Sequence, residues 1–207
     1  MKSHYRVVVI GGGVVGTHAA RMAMGMGAAV TILDKSLPRL RQLDEAFDGR
    51  IRTQYATLDA TEAAVLEADL VVGAVLVPGA AAPKVVTRDM VRAMRPGSVV
   101  VDVAIDQGGC CETSRPTTHA DPTYVEYGVV HYCVSNMPGA VARTSTFALG
   151  NATLGHALTL ADKGWRRALH DDVHLRAGLN VALGHITCEP VALQHGLPYR
   201  PAAQIVG

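Results

Sequence analysis

The chain has 207 residues, a length that suits one sizeable domain, or one domain with a smaller appendage, better than two full domains. Hydrophobic residues make up 49% and charged residues 18% of the sequence, which is typical of a globular rather than a disordered protein. The 19 Lys and Arg and the 18 Asp and Glu nearly balance, so neither a nucleic acid nor a membrane surface is expected as a partner.

Short apolar runs alternate with helix-like segments over the first two thirds of the chain. Because these runs are apolar almost throughout, helices should cover both faces of the sheet that they form, as in parallel sheets. The sequence therefore predicts an α/β fold, a Rossmann-type doubly wound parallel sheet. The predicted strands comprise residues 6–10, 29–33, 51–55, 70–74, 98–103 and 129–134.

The first apolar run gives way to glycines at once. It is too short for the core of a secretion signal or for a membrane span, so we expect a cytoplasmic protein. Between the later runs, Pro38 is expected to begin one helix, Thr61 with Glu62 a second, and Thr87 to cap a third.

The pattern changes in the second half of the chain. Residues 103–129 form a polar, glycine-containing stretch that predicts a long loop. After Pro138 the leucine spacing becomes helical, and no further strand is predicted. We therefore divide the chain into a dinucleotide-binding domain, residues 1–142, and a helical C-terminal segment, residues 143–207.

A glycine motif follows the first predicted strand directly. Gly11, Gly13 and Gly16 match the pattern G-x-G-x-x-G, and a helix-compatible segment comes next. The first glycine permits a tight turn, the second lets a pyrophosphate approach the backbone, and the third lets the helix lie close to the strand. The helix N-terminus, with Val14 and Val15, then offers free N–H groups to the phosphates.

An acidic residue stands where this motif needs one. Asp34 ends the second predicted strand, 18 residues after Gly16, close to the spacing expected of the carboxylate that binds the adenosine ribose. A negative charge there repels a 2′-phosphate, so NAD is expected as the cofactor rather than NADP. Arg39 and Arg41 leave an alternative open, because they could hold the NADP phosphate; Arg39 could also lie beside the adenine.

The four cysteines form no Cys-x-x-Cys pair, so reduced thiols are expected. A metal site built from Cys110, Cys111, His131 and Cys133 is the weaker interpretation, because adjacent cysteines are awkward ligands. We predict no metal site.

Three segments carry a resemblance to a known family. They are VDVAIDQGGC at 101–110, SRPTT at 114–118 and SNMPGAV at 135–141, and GAVLVPG at 73–79 agrees with them. Together they resemble the alanine dehydrogenases and, more widely, the NAD-binding parts of nicotinamide nucleotide transhydrogenases. The resemblance extends over nearly the whole chain.

The resemblance implies roles for individual residues. Asp106 would be the catalytic carboxylate, facing the reacting carbon and its amino group, and Arg115 would lie near the cofactor phosphates. Further cofactor contacts would come from residues after the strands: Ala74, Val75 and Leu76 at the nicotinamide ribose, Ile105 before the catalytic residue, and Asn136 and Met137 beside the nicotinamide and the substrate.

Simpler interpretations of the same residues stay open. Asp106 could cap its own loop through backbone amides, and Asn136 could serve a turn. The resemblance supports no catalytic role for His119, His131 or His156, which are expected at the surface or behind the site.

The family's N-terminal domain supplies a lysine and a histidine that this chain lacks, so we expect an NAD-binding portion that is incomplete alone. The resemblance implies an NAD-dependent amino-acid dehydrogenase that binds a small amino acid or keto acid. Homo-oligomer formation or a separate N-terminal partner would cover the apolar helical segment. The alternatives are a stand-alone NAD(H)-binding regulatory or assembly module without catalysis, and an enzyme remodelled for another substrate.

Overall fold

The computed structural model describes residues 4–207, which divide into two compact units. The first comprises residues 4–77 and Ala81–Met137, and the second comprises Pro78–Ala80 and Pro138–Gly207. Among these residues, none of the helices has both the length and the apolar character that a bilayer crossing requires.

The first unit alternates strands and helices. Its elements, in chain order, are β1 (Arg6–Ile10), α1 (Val14–Gly25), β2 (Ala29–Asp34), α2 (Leu37–Phe47), β3 (Arg52–Tyr55), α3 (Leu58–Glu67), β4 (Leu70–Gly73), α4 (Arg88–Ala93), β5 (Val99–Asp102), a short 3₁₀ helix (Val103–Gln107), β6 (Thr123–Glu126) and β7 (Val129–Tyr132).

The sheet has the strand order β3-β2-β1-β4-β5-β7-β6, and every neighbouring pair is parallel except β6 with β7. Ile10 of β1 pairs with Leu33 on one side and with Gly73 on the other, which aligns the carboxyl ends of the central strands. The predicted α/β fold with a doubly wound, mostly parallel sheet is confirmed.

Two apolar clusters cover the two faces of the sheet. On one face Leu43 and Phe47 of α2 pack on Val9 and Ile32, and all four side chains are at most 1% exposed. On the other face Val65 of α3 belongs to a cluster with residues of α4 and of the central strands. Each such side chain contributes roughly 1.5–3 kcal/mol when it is fully buried.

Two of the three predicted helix starts are confirmed. The helix that contains Pro38 begins at Leu37, and the Thr87 side chain accepts a hydrogen bond from the Met90 amide at 3.2 Å. The start at Thr61 was wrong, because Thr57 caps α3 one turn earlier by accepting from Ala60 N at 3.1 Å. Thr61 lies inside the helix and donates its hydroxyl to the Thr57 carbonyl.

The structure adds strands that the sequence did not predict. β6 lies within the predicted loop 103–129, and β8 (Val181–Ala182) pairs with β9 (His185–Ile186) in the second unit. Two-residue turns with positive φ at both positions connect these hairpins: Tyr127-Gly128 at 52° and 77°, and Leu183-Gly184 at 52° and 78°. Such turns usually contain Asn-Gly or Asp-Gly, so their sequence signal is missing here.

The second unit is mainly helical. It contains α5 (Ala142–Lys163), α6 (Trp165–Asp171), α7 (Val173–Ala177), the β8-β9 hairpin, α8 (Glu189–His195) and α9 (Ala203–Val206). Every residue of α5 is at least partly exposed, including Leu154 at 58% and Leu158 at 53%.

Candidate functional site

The predicted site residues gather at one edge of the sheet. Strands β1, β2, β4, β5 and β7 run parallel, so their carboxyl ends share this edge. The strand order reverses between β1 and β4, and ligands of open α/β sheets bind at such a reversal. Apart from Arg115, the predicted site residues lie at these strand ends or in the segments that follow them.

The glycine motif forms the turn from β1 into α1. Gly11 has φ +102°, and a Cβ atom there would lie 2.5 Å from the Ala74 carbonyl oxygen. A Cβ atom on Gly16 would overlap the carbonyl oxygen of Gly11. By contrast, apart from Gly13 itself and the adjoining backbone, no heavy atom of the described residues lies within 4 Å of a Cβ built on Gly13. The first and third glycines are thus needed for packing, whereas the second leaves open space.

That space lies at the N-terminus of α1. Gly13 occupies the N-cap position and has no side chain with which to satisfy the first-turn amides. In α2, α3 and α4 a first-turn amide donates a hydrogen bond to the hydroxyl of the N-cap residue, which is Ser36, Thr57 or Thr87. An anion can therefore take the place of the missing cap, favoured by the helix dipole.

Asp34 stands beside the glycine turn. Its Oδ2 accepts a hydrogen bond from Gly12 N at 2.7 Å and its Oδ1 accepts one from Ser36 N at 2.8 Å. A carboxylate offers about four acceptor positions, so these two backbone bonds leave room for two sugar hydroxyls. The carboxylate and the open turn, both predicted from sequence, are therefore neighbours.

Arg39 ties the glycine turn to two helices. Its Nε donates to the Gly12 carbonyl at 2.6 Å, and its Nη2 donates to the Thr17 hydroxyl at 2.8 Å. A third bond joins Nη1 to Gln42 Oε1 at 3.1 Å. Three of its five N–H groups are engaged in these bonds, so Arg39 supports the turn in this arrangement.

The catalytic candidate Asp106 lies in the 3₁₀ helix after β5. Its side chain is exposed, and within residues 4–207 no group forms a hydrogen bond or ion pair with its carboxylate. The loop-capping role that was left open for Asp106 belongs to Asp102, which is 0% exposed and accepts from Cys110 N at 2.9 Å and Cys111 N at 3.0 Å. The Asp106 carboxylate is thereby left available to a ligand.

Asp102 was missed in the sequence. It ends an apolar strand and lies only four residues before Asp106, so the motif VDVAIDQGG offers two carboxylates and no local reason to choose between them. The signal that distinguishes Asp102 is its position as the last residue of a buried strand, which predicts a buried carboxylate that needs backbone donors.

Cys110 packs where two segments of the site meet. A Cβ atom on Gly73 would overlap its sulfur, so the thiol fills the space that this glycine leaves at the end of β4. Burial, and next the nearby Asp102 charge, raise the pKa of the Cys110 thiol far above its usual value. The predicted cofactor contact Ile105 is also buried, at 4% exposed. Residues 4–207 hold no group of three or more potential metal ligands.

The other predicted residues occupy the same edge in a more open setting. Ala74 and Val75 are half-buried, and Leu76 is 63% exposed. Asn136 is exposed in a turn after β7, where its carbonyl oxygen lies 2.6 Å from the exposed His119 Nε2, and Met137 is half-buried.

Arg115 lies away from the strand ends that carry the other predicted residues. Its guanidinium stacks on the ring of Tyr124 in β6, 3.9 Å from the ring centroid. Strand β6 lies four positions from β1, which corresponds to about 19 Å at a strand spacing of about 4.8 Å. Its contact with the cofactor phosphates stays a prediction.

His131 was expected either at the surface or behind the site. It is 0% exposed, so the surface position was wrong. Its Nδ1 lies 3.0 Å from the Val129 carbonyl oxygen, which can only accept, so Nδ1 carries a proton. The Thr113 hydroxyl is 2.8 Å from Nε2 and donates to it when the ring is neutral. Burial lowers the pKa of His131 below its usual value and so favours this neutral form.

This burial predicts a loss of stability in acid. Because the folded pKa of His131 is below the unfolded value of about 6.5, the unfolded chain binds the proton more readily. Stability is therefore fully present above about pH 6.5 and falls as the pH drops toward the folded pKa, by up to about 1.4 kcal/mol per pH unit. Denaturant unfolding at pH 7, 6 and 5 should show a shallower pH dependence for His131→Gln than for the exposed-site control His119→Gln. Equal slopes for both variants would contradict the prediction.

Comparisons with known proteins agree with this arrangement. The family described as "Alanine dehydrogenase/PNT, C-terminal domain" matches residues 2–189. The alanine dehydrogenase of Halomonas elongata is 66% identical over 98% of this chain, and that of Bacillus subtilis is 57% identical over 97%. The chain spans 54% and 53% of those relatives, about half of their length.

Solved structures give the same result. An L-alanine dehydrogenase matches with a TM-score of 0.83 and 50% identity over 93% of this chain and 53% of its own length. A transhydrogenase from Sinorhizobium meliloti, at 24% identity, a TM-score of 0.70 and 89% of this chain, shares the fold. The chain therefore belongs to the alanine dehydrogenase/PNT C-terminal domain family.

Proposed function

We propose that this chain is the NAD-binding portion of an L-alanine dehydrogenase, an enzyme that converts L-alanine, NAD and water to pyruvate, ammonia and NADH. The observation that carries the proposal is the contact between Asp34 and the glycine turn, with Asp34 Oδ2 only 2.7 Å from Gly12 N. This contact puts a ribose-binding carboxylate next to an anion-binding helix N-terminus. Family membership supplies the reaction.

The residues present fit a dinucleotide. The open position beside Gly13 admits a diphosphate against the first-turn amides of α1, and exposed Val14 and Val15 border it. Asp34 receives the adenosine ribose and disfavours a 2′-phosphate, so NAD is the cofactor. When bound, NAD supplies the hydride acceptor of the reaction.

The nicotinamide end of the site lies toward β4, β5 and β7. Ala74, Val75 and Leu76 line the nicotinamide ribose, and Asn136 with Met137 flanks the ring and the substrate. The role of Arg115 at the cofactor phosphates is proposed from the family resemblance alone.

Asp106 is the catalytic residue of the proposal. Its carboxylate is exposed and unpaired within the described chain, so it is free to hold the ammonium group of alanine or to direct its proton. In this proposal an N-terminal domain or a separate partner supplies the remaining groups. One binds the substrate carboxylate, and the other serves as acid and base for the proton transfers that Asp106 does not perform.

The helical segment 143–207 serves assembly in this proposal. Exposed apolar side chains such as Leu154 and Leu158 form an interface with an N-terminal domain, a partner or a second copy. The complete assembly acts in the cytoplasm, as a homo-oligomer or together with a separate N-terminal partner.

Two measurements test the proposal. Calorimetry on the chain should detect NAD binding with a preference over NADP. Alanine-dependent NADH formation should require the N-terminal half, added as a separate polypeptide or present in the same one. NAD binding without turnover in either assembly would favour the stand-alone binding module, and an absence of NAD binding would refute both.

A further inference from the structure

The loop that carries Asp106 is held by opposite charges on its two sides. On the buried side the Asp102 carboxylate accepts from the amides of Cys110 and Cys111. On the exposed side Lys84 Nζ donates to the carbonyl oxygens of Gly108 at 2.6 Å, Gly109 at 2.8 Å and Cys111 at 3.4 Å. An ammonium group has three donors, so backbone carbonyls take all of them.

One peptide group receives both charges. The bond between Gly109 and Cys110 directs its carbonyl toward Lys84 at 2.8 Å and its N–H toward Asp102 at 2.9 Å. A cation at the oxygen and an anion at the hydrogen both stabilise the same orientation of the peptide dipole. Within the described chain, neither side chain forms an ion pair with another side chain. Apart from the Cys110 thiol, 3.4 Å from Asp102 Oδ1, both charged groups bond only to the backbone.

The local backbone is shaped for this arrangement. Gly109 has φ +75°, and a Cβ atom there would lie 2.8 Å from Asp102 Oδ2, so a side chain at this position would displace the carboxylate. The Val85 amide donates to the Cys110 carbonyl at 2.8 Å, which joins the segment that carries Lys84 to the same loop.

The held peptide is connected directly to the 3₁₀ helix. Gly109 N donates to the Ala104 carbonyl at 2.9 Å and Gly108 N donates to the Ile105 carbonyl at 3.1 Å. Asp106 follows Ile105 in that helix. Any rotation of the Gly109–Cys110 peptide therefore moves the backbone that positions Asp106.

We propose that Lys84 and Asp102 form a charge clamp on the Gly109–Cys110 peptide and are positioning residues for Asp106. The functional part of this inference rests on the proposed function, in which Asp106 meets the substrate. Neither clamp residue touches the reacting atoms. The clamp removes backbone freedom from the loop before a ligand arrives, which lowers the cost of ordering it on binding.

Hydrogen–deuterium exchange on the 207-residue chain tests the clamp directly. Lys84→Met removes the cation from an exposed position, and amides within 103–113 should exchange at least about tenfold faster while the strands keep their protection. Lys84→Arg retains charge and donors and should restore exchange to within about threefold of the unaltered chain. Lys163→Met is the matched control, because that lysine pairs with Asp171 in the second unit. Asp102→Asn removes the charge from the buried side and should give the same local loosening.

Two results would overturn the clamp: unchanged exchange of 103–113 in Lys84→Met, or equal loosening in the arginine variant. In an assembly that turns over alanine, Lys84→Met should lower kcat about tenfold at nearly constant KM for NAD, and Lys84→Arg should recover it. An unchanged kcat there would refute positioning of Asp106. If the unaltered chain binds no NAD, the proposed function fails, and the exchange data still decide the clamp independently.

Discussion

Gly13→Ala is expected to lower NAD affinity at least about tenfold while the melting temperature falls by only a few degrees, because alanine is a poorer N-cap residue than glycine. The added methyl group meets open space in the protein. In the proposed function, however, this space receives the diphosphate as it approaches the first-turn amides of α1. A tenfold loss corresponds to about 1.4 kcal/mol of binding free energy. Calorimetry with NAD and thermal unfolding of the same preparation measure the two quantities separately.

Gly16→Ala should have the opposite balance. Its methyl group would overlap the backbone of Gly11, which cannot move without separating α1 from β1. We expect a loss of roughly 3 kcal/mol in the free energy of unfolding, at the upper end for an overpacked core, together with loss of NAD binding. Gly25→Ala is the control: it lies in the same helix, and a Cβ there meets no heavy atom beyond the adjoining helix backbone. It should leave NAD binding unchanged and raise the free energy of unfolding by about 0.4–1 kcal/mol, the opposite direction to Gly16→Ala. If Gly13→Ala bound NAD as tightly as the unaltered chain, that result would contradict the assignment of the phosphate site to the glycine turn.

Asp34→Asn is expected to weaken NAD binding by about ten- to a hundredfold and to reduce the preference for NAD over NADP. The carboxylate would lose charge-assisted bonds to the ribose hydroxyls, each worth roughly 1.5–3 kcal/mol, and its repulsion of a 2′-phosphate. Its bonds to Gly12 N and Ser36 N also weaken, so the free energy of unfolding should fall by about 1–3 kcal/mol.

Calorimetric titration with both cofactors measures this selectivity. Asp44→Asn provides the control, because Asp44 is an exposed residue of the neighbouring helix α2. This substitution removes the same charge at a position away from the turn. It should leave both affinities within about twofold of the unaltered chain. A chain that binds NADP more tightly than NAD before any substitution would contradict the role assigned to Asp34.

The sheet was predictable because its strands have local signals. Apolar runs such as residues 6–10 need cover on both faces, and their alternation with helix-like segments indicates parallel strands between helices. The hairpins were not predictable for a related reason. Tyr127 and Leu183 adopt positive φ in positions where asparagine or aspartate usually signals the turn, so tertiary contacts rather than local preference select their conformation.

The site was predictable in part for the same reasons. The glycine turn and Asp34 are fixed by short-range spacing, and the fold brings them within hydrogen-bond distance. The contributions of Asp102 and Lys84 depend on which backbone groups a loop turns toward them, and no spacing rule contains that information. The burial of His131 was not predictable from the sequence either, because it depends on the pairing of the edge strand β6 with β7.

The position of Cys110 and Cys111 also bears on chemical durability. Only the thiolate reacts readily with oxidants and alkylating reagents, and both sulfurs are shielded in the folded chain, with exposures of 1% each. The raised pKa keeps Cys110 protonated at neutral pH. Two adjacent sulfhydryls can thus lie in the loop that follows the 3₁₀ helix of Asp106 without reacting, and peroxide that modifies accessible cysteines elsewhere would spare both of them.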